Sequence, residues 1–162
     1  FNAILQFKPR HCFEVGTFTG GGSTFFIASA LKEIGAGTLF TLESNPALFS
    51  LATAAYEAYL PHLLAQVEFI KGGDVGLFSP HIPVSEGIEA LFLDGAENAD
   101  QTLDQYRYFQ PHLRPGAVMM AHDWHTDKMK NVRPLIESDP HWEILLEIDP
   151  PYSVGFAVLQ RR

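Results

Sequence analysis

The chain has 162 residues, 46% of them apolar and 19% charged, with a formal net charge of −8. That length suits one domain with a buried core, and the composition excludes the disordered and fibrous classes. Acids outnumber Lys and Arg by 19 to 11, which weighs against nucleic acid as a partner, because a duplex binder needs a basic face. The one cysteine, Cys12, allows neither an internal disulfide nor a multi-cysteine zinc site; it sits in an apolar run and reads as a small core residue. No apolar run is long enough for a bilayer and no signal peptide is evident, so no membrane role is expected and the expected location is cytoplasmic. The chain opens on Phe1. The expectation is a single domain over 1–162 that lacks an N-terminal segment.

Strand-like and helix-like stretches then alternate. Residues 10–16 (RHCFEVG) read as a strand ending in glycine. Residues 21–37 carry a Ser-Thr start signal at 23–24 and close with glycines, the pattern of a helix. Residues 38–44 (TLFTLES) form a second strand, and 45–60 a helix with Asn45 as N-cap and Pro46 in its first turn. A third strand falls at 66–72, and 75–87 reads as one short helix and a loop. A fourth strand covers 88–95, and 98–113 is a helix with Leu103, Tyr106 and Phe109 on one face. A fifth strand covers 116–123. Strands 142–148 and 154–160, joined by a short loop, read as an antiparallel hairpin. The predicted fold is α/β and Rossmann-like: a mainly parallel seven-stranded sheet, helices on both faces, and a C-terminal antiparallel hairpin.

The chemistry-bearing residues fall at the ends of these strands, where parallel α/β sheets bind ligands. The first turn, FEVGTFTGGGST over 13–24, holds Glu14, Gly16, Thr17, Gly20, Gly22 and Ser23. Glycines there let a ligand approach the backbone at a helix start. Their spacing does not fit G-x-G-x-x-G, the dinucleotide fingerprint; it fits E-x-G-x-x-x-G. An acid before the first glycine suits S-adenosylmethionine (SAM), which carries an ammonium and a sulfonium and no pyrophosphate. The alternative is a helix-start loop with no ligand. Glu43, followed by Ser44, ends the second strand, 27 residues after Gly16, where an acid can accept from both ribose hydroxyls of an adenosine; otherwise it is a solvated loop glutamate. Asp74 either meets the adenine amine or caps the next helix. Asp94 ends the fourth strand and Asp123 the fifth. Together they are candidate ligands for Mg²⁺ or another divalent cation, a hard ion that takes carboxylate oxygens; otherwise Asp94 touches SAM alone and Asp123 caps a helix.

The stretches FEVGTFTGGGST, LESNP, GD and FLDGAEN with DQYRYFQPHLRPGAVMMAHDW together resemble class I SAM-dependent methyltransferases. The resemblance is nearest to the small-molecule O-methyltransferases of the catechol and caffeoyl-CoA type and to the methyltransferase-24-type domains. It runs from Arg10 to the final hairpin, and 93–123 is its most specific part. It implies that Glu14, Gly16, Thr17 and Gly20 surround SAM, that Glu43 takes the ribose, that Asp94 lies by the methionine portion and a metal, and that Asp123 is a second metal ligand. The chain departs from the family in three places. Its glycine turn has one glycine more than G-x-x-x-G-x-S. Trp124 follows Asp123 where the catechol type has Asn, so a third metal ligand is missing or moved. Glu97 stands where relatives carry Lys or His.

The resulting expectation is methyl transfer by in-line displacement to an oxygen of a small acceptor: a sugar, a phenol or a natural-product hydroxyl. Asp94 and Asp123 hold the metal if one binds, and Glu97 or His125 otherwise takes the proton. The protein partner consistent with this is a second copy, in a homodimer. A non-catalytic SAM-fold scaffold and an NAD-dependent oxidoreductase are the alternatives. Asp149-Pro150-Pro151-Tyr152 resembles the catalytic loop of amino-directed DNA methyltransferases, but there it follows the fourth strand; here it joins the last two and reads as a turn.

Overall fold

A computed structural model of the chain describes residues 1–149 and 154–162. Seven strands form one sheet in the order β3-β2-β1-β4-β5-β7-β6. They are β1 (His11–Val15), β2 (Thr38–Glu43), β3 (Val67–Lys71), β4 (Ile88–Leu93), β5 (Leu113–His122), β6 (Trp142–Ile148) and β7 (Phe156–Arg161). The first five pair in parallel, and β7 runs antiparallel to both β5 and β6. The predicted parallel sheet with a terminal antiparallel hairpin is the observed one.

Alternation along β1 shows how the two layers are fixed. Phe13 and Val15 join the larger core with Tyr106, Phe109 and Ile136, under α4 (Ala99–Phe109) and α5 (Arg133–Ser138). Cys12 points the other way, into a core with Ile4, Ile27 and Leu31 from α1 (Asn2–Phe7) and α2 (Ser23–Ile34). It is buried, as a small core residue should be. A third cluster joins Ala28 of α2 to Tyr56 of α3 (Pro46–Tyr59). No helix among the described residues is long and apolar enough to cross a membrane.

Local chemistry explains most element ends. Asn45 caps α3, its Oδ1 accepting from the Ala47 and Leu48 amides. Gly35 closes α2 in the left-handed conformation. The helix predicted to run to residue 113 stops at Phe109, because Pro111 cannot donate to it; a 3₁₀ turn over Gln110–His112 follows. Two α-helices were not predicted, α1 and α5; each is six residues long, too short to show helical period. Of the 149–152 tetrapeptide only Asp149 is described, so the turn read there lies outside the described residues.

Candidate functional site

The strand order reverses between β1 and β4, and a cleft of about 600 Å³ opens at the carboxyl ends of these strands, β2 and β3. This is the switch point where α/β sheets take ligands, and the volume is that of a small-molecule site.

The turn after β1 is built on two close approaches. Gly16 has φ +100°, and a Cβ there would stand 2.8 Å from the Gly95 Cα, on the turn after β4. Gly20 has φ +75°, a Cβ there would meet the Tyr56 ring at 2.9 Å, and the Tyr56 hydroxyl donates to the Gly20 carbonyl. Beneath the turn runs a buried polar chain. The Thr24 and Thr41 hydroxyls each donate to Glu14 Oε2 at 2.6 Å, and Thr17 Oγ1 lies 2.6 Å from Thr41 Oγ1. Glu14 is wholly buried, and its other oxygen, Oε1, has no hydrogen-bond partner among the described residues. Burial raises its carboxyl above the ordinary glutamate range, while the hydroxyls of Ser23, Thr24 and Thr41 pull the other way. Of the residues assigned to this turn, only Gly16 lines the cleft; Glu14, Thr17, Gly20, Gly22 and Ser23 do not. Glu14 and Thr17 lie beneath the turn, in this buried chain.

Glu43 is oriented by the backbone on both sides. Its Oε2 accepts from the Phe18 amide at 2.7 Å and its Oε1 from the Asn45 amide at 2.8 Å. The carboxylate lines the cleft, and each oxygen retains a lone pair for a ligand. Ser44 lies beside it. Asp74 caps the next helical turn, one of the two roles foreseen for it. Its Oδ1 accepts from the Gly76 amide and caps the 3₁₀ turn Val75–His81, and the residue also lines the cleft. That turn is pinned by Phe78, fully buried against Phe13 and Phe109.

Asp94 and Glu97 reach the same cleft from the turn after β4. Glu97 is fixed at the entry of α4, where its amide donates to Gln101 Oε1 at 2.9 Å. Burial raises the Asp94 carboxyl above the usual range; His122 and Lys128 oppose this, and Asp123 adds to it. Asp123 (φ +60°) adopts a left-handed conformation that Asp tolerates.

Asp94, His122 and Asp123 each offer a ligand atom, all within 4.8 Å of one another. Sequence reading paired the two aspartates but did not find the group between them. Lys128 Nζ lies 2.5 Å from Asp123 Oδ2 and 3.5 Å from Asp94 Oδ1. Nor does Trp124 supply a third ligand: it is fully buried in the core. With a lysine ammonium between its two carboxylates, the donor set as it stands does not fit an added divalent cation.

His125, a candidate base, is held elsewhere. Arg133 Nη1 donates to its Nδ1 at 2.6 Å, and its Nε2 faces Glu147 Oε1 at 2.9 Å and Asp149 Oδ1 at 3.9 Å. Neither His125 nor these partners line the cleft. These contacts link α5 to β6 through the imidazole.

Among the described residues lining the cleft there are five acids, Glu43, Asp74, Asp94, Glu97 and Asp104, and no Lys, Arg or His. Such a lining suits a cationic ligand and repels a pyrophosphate.

A methyltransferase domain family matches residues 13–124, more than half of the chain. No curated protein sequence matches it. Similar solved structures include the O-methyltransferase TomG from Streptomyces achromogenes, involved in tomaymycin synthesis and solved with SAM: 18% identity, TM-score 0.76, covering 99% of this chain and 76% of TomG. The O-methyltransferase from Bacillus cereus, in complex with S-adenosylhomocysteine, is 19% identical with a TM-score of 0.76, over 99% of this chain and 78% of that one. A putative rRNA methylase from Clostridium thermocellum is 15% identical with a TM-score of 0.72, over 99% of this chain and 94% of that one. The fold is the Rossmann-like fold of class I methyltransferases, and the chain belongs to the methyltransferase domain family.

Proposed function

We propose that the chain is a SAM-dependent methyltransferase acting on an oxygen of a small hydroxylated acceptor. The observation that carries this reading is that the charged side chains described along the cleft at the β1/β4 switch point are all acids. It matches a ligand with an ammonium and a sulfonium, and opposes the pyrophosphate of NAD. The solved neighbours TomG and the Bacillus cereus enzyme, O-methyltransferases holding SAM and S-adenosylhomocysteine, support the cofactor and the acceptor atom. An RNA acceptor is disfavoured by the same acids and by the net charge of −8.

In this reading Glu43 accepts from the ribose hydroxyls with the lone pairs its backbone partners leave free, and Asp74 receives the adenine amine on its second oxygen. Asp94 attracts the cationic methionine portion. When bound, SAM supplies the methyl: its C–S bond breaks as the acceptor O–C bond forms, and the sulfur keeps the electron pair. The chain's contribution is chiefly position and orientation, and Glu97 takes the acceptor proton. The test is transfer of label from methyl-labelled SAM to a panel of phenols, sugars and polyhydroxylated compounds. Labelled product from at least one class, lost with Asp94→Asn, is expected. A folded chain that binds S-adenosylhomocysteine yet labels no acceptor class would favour a non-catalytic scaffold.

The same reading includes a homodimer. The sheet edge β6 exposes Ile144, Leu145, Leu146 and Ile148, an apolar edge of the kind that invites pairing. Sedimentation equilibrium would show a dimer, weakened by Leu146→Lys; a monomer at all concentrations would contradict it.

A further inference from the structure

The lysine between the two strand-end aspartates points to a substitution of one cation by another. Asp123 Oδ2 and Asp94 Oδ1 both face the Lys128 ammonium, at 2.5 and 3.5 Å. A divalent ion bound to those oxygens would need the same space at about 2.0–2.6 Å from each ligand. Charge opposes the ion as space does. Two carboxylates and one ammonium leave one net negative charge, whereas adding a doubly charged ion beside the lysine would set three positive charges against two negative ones.

Lys128 is also placed by the fold rather than swung in from solvent. It lies in a 3₁₀ turn over Asp127–Met129, capped by Thr126, whose hydroxyl accepts from the Lys128 amide and donates to the Asp123 carbonyl. The next residue, Met129, is buried in the core. The void beside the cluster, bounded by Asp94, His122, Lys128 and Met129 among others, is about 10 Å³. That is about one water, too little for Mg²⁺, which keeps several waters when bound.

We propose that Lys128 is the resident cation of this site, standing where a metal would bind between Asp94 and Asp123, so that the protein works without a divalent ion there. That the protein works without the ion rests on the function proposed above; the lysine's exclusion of the metal does not. Removing the ammonium leaves Asp94, Asp123 and His122 as a ready divalent-ion site, so the lysine is what decides between the two states.

The test uses Mn²⁺ as the probe, followed by the loss of its free-ion EPR signal on binding. The wild-type chain, Lys128→Met, Asp123→Asn and the double variant Lys128→Met/Asp123→Asn are each titrated, with folding checked by circular dichroism and thermal melting. The expected result is no saturable site in the wild type, one site in Lys128→Met, and its loss in the double variant. Saturable binding by the wild type that Asp123→Asn removes would overturn the proposal, and so would a folded Lys128→Met that binds no ion. This readout needs neither SAM nor an acceptor. A chain that transfers no methyl group while showing the expected Mn²⁺ pattern would sink the enzymatic reading and leave this one standing.

Discussion

Glu43 shows how much work a single side chain does at this cleft. Its two oxygens are held by the Phe18 and Asn45 amides, so the carboxylate is pre-oriented before any ligand arrives. A hydrogen bond to a charged group contributes about 1.5–3 kcal/mol. Glu43→Gln is therefore expected to weaken S-adenosylhomocysteine binding about ten- to a hundredfold, measured by calorimetry at neutral pH. Glu14 gives a pH effect instead. Burial holds its folded carboxyl above the unfolded value, which is about 4.3 for glutamate. Above that value the unfolded chain loses the proton first, so stability falls as pH rises through the interval up to the folded value. Melting temperature followed against pH is expected to decline less in Glu14→Gln than in the wild type over that interval. Parallel curves would show that Glu14 is charged and satisfied in the fold. His125, bound to Arg133 and facing Glu147, is a different case: His125→Ala is expected to lower the melting temperature and leave the methyl-transfer rate unchanged.

At the scale of elements, the cleft exists because the turns after β1 and β4 touch. Gly16, at φ +100° and with no room for a Cβ beside Gly95, is the contact. Gly16→Ala combines a disfavoured backbone with a clash and is expected to cost about 1–3 kcal/mol. Gly21, in the same turn, is exposed, and a Cβ there would find no atom nearer than 4.0 Å; Gly21→Ala is expected to stay within about 0.5 kcal/mol. Urea unfolding of both variants checks the pair, and equal losses would refute the contact. The glycine turn, the strand-end acids and the alternating elements were legible in the sequence because local chemistry dictates them. The contact of Gly16 with Gly95 was not, since it joins turns far apart in the chain. Lys128 was missed for a related reason. It reaches the Asp94–Asp123 pair from a single 3₁₀ turn, which leaves no periodic trace; the nearest signal was Thr126, a capping residue just after a strand end. His125 lies off the cleft lining, and nearness in sequence to Asp123 says nothing about which way a loop turns.

For the molecule as a whole, the net charge of −8 and the five acids of the cleft act in one direction. They favour cationic ligands through a field that salt screens. Raising ionic strength is expected to weaken SAM, with its sulfonium, more than S-adenosylhomocysteine, which lacks it; calorimetry in increasing KCl reads the difference, and equal slopes would show that the acids do not sense the sulfonium. The central claim is that the β1/β4 cleft is a SAM site. Its most direct measurement is calorimetric titration of the wild-type chain and Glu43→Gln with S-adenosylhomocysteine and with NAD. One molecule of S-adenosylhomocysteine per chain, weakened by Glu43→Gln, with no heat from NAD, is the expected result. A folded wild-type chain that ignores S-adenosylhomocysteine, or binds it equally well without the Glu43 carboxylate, would contradict it.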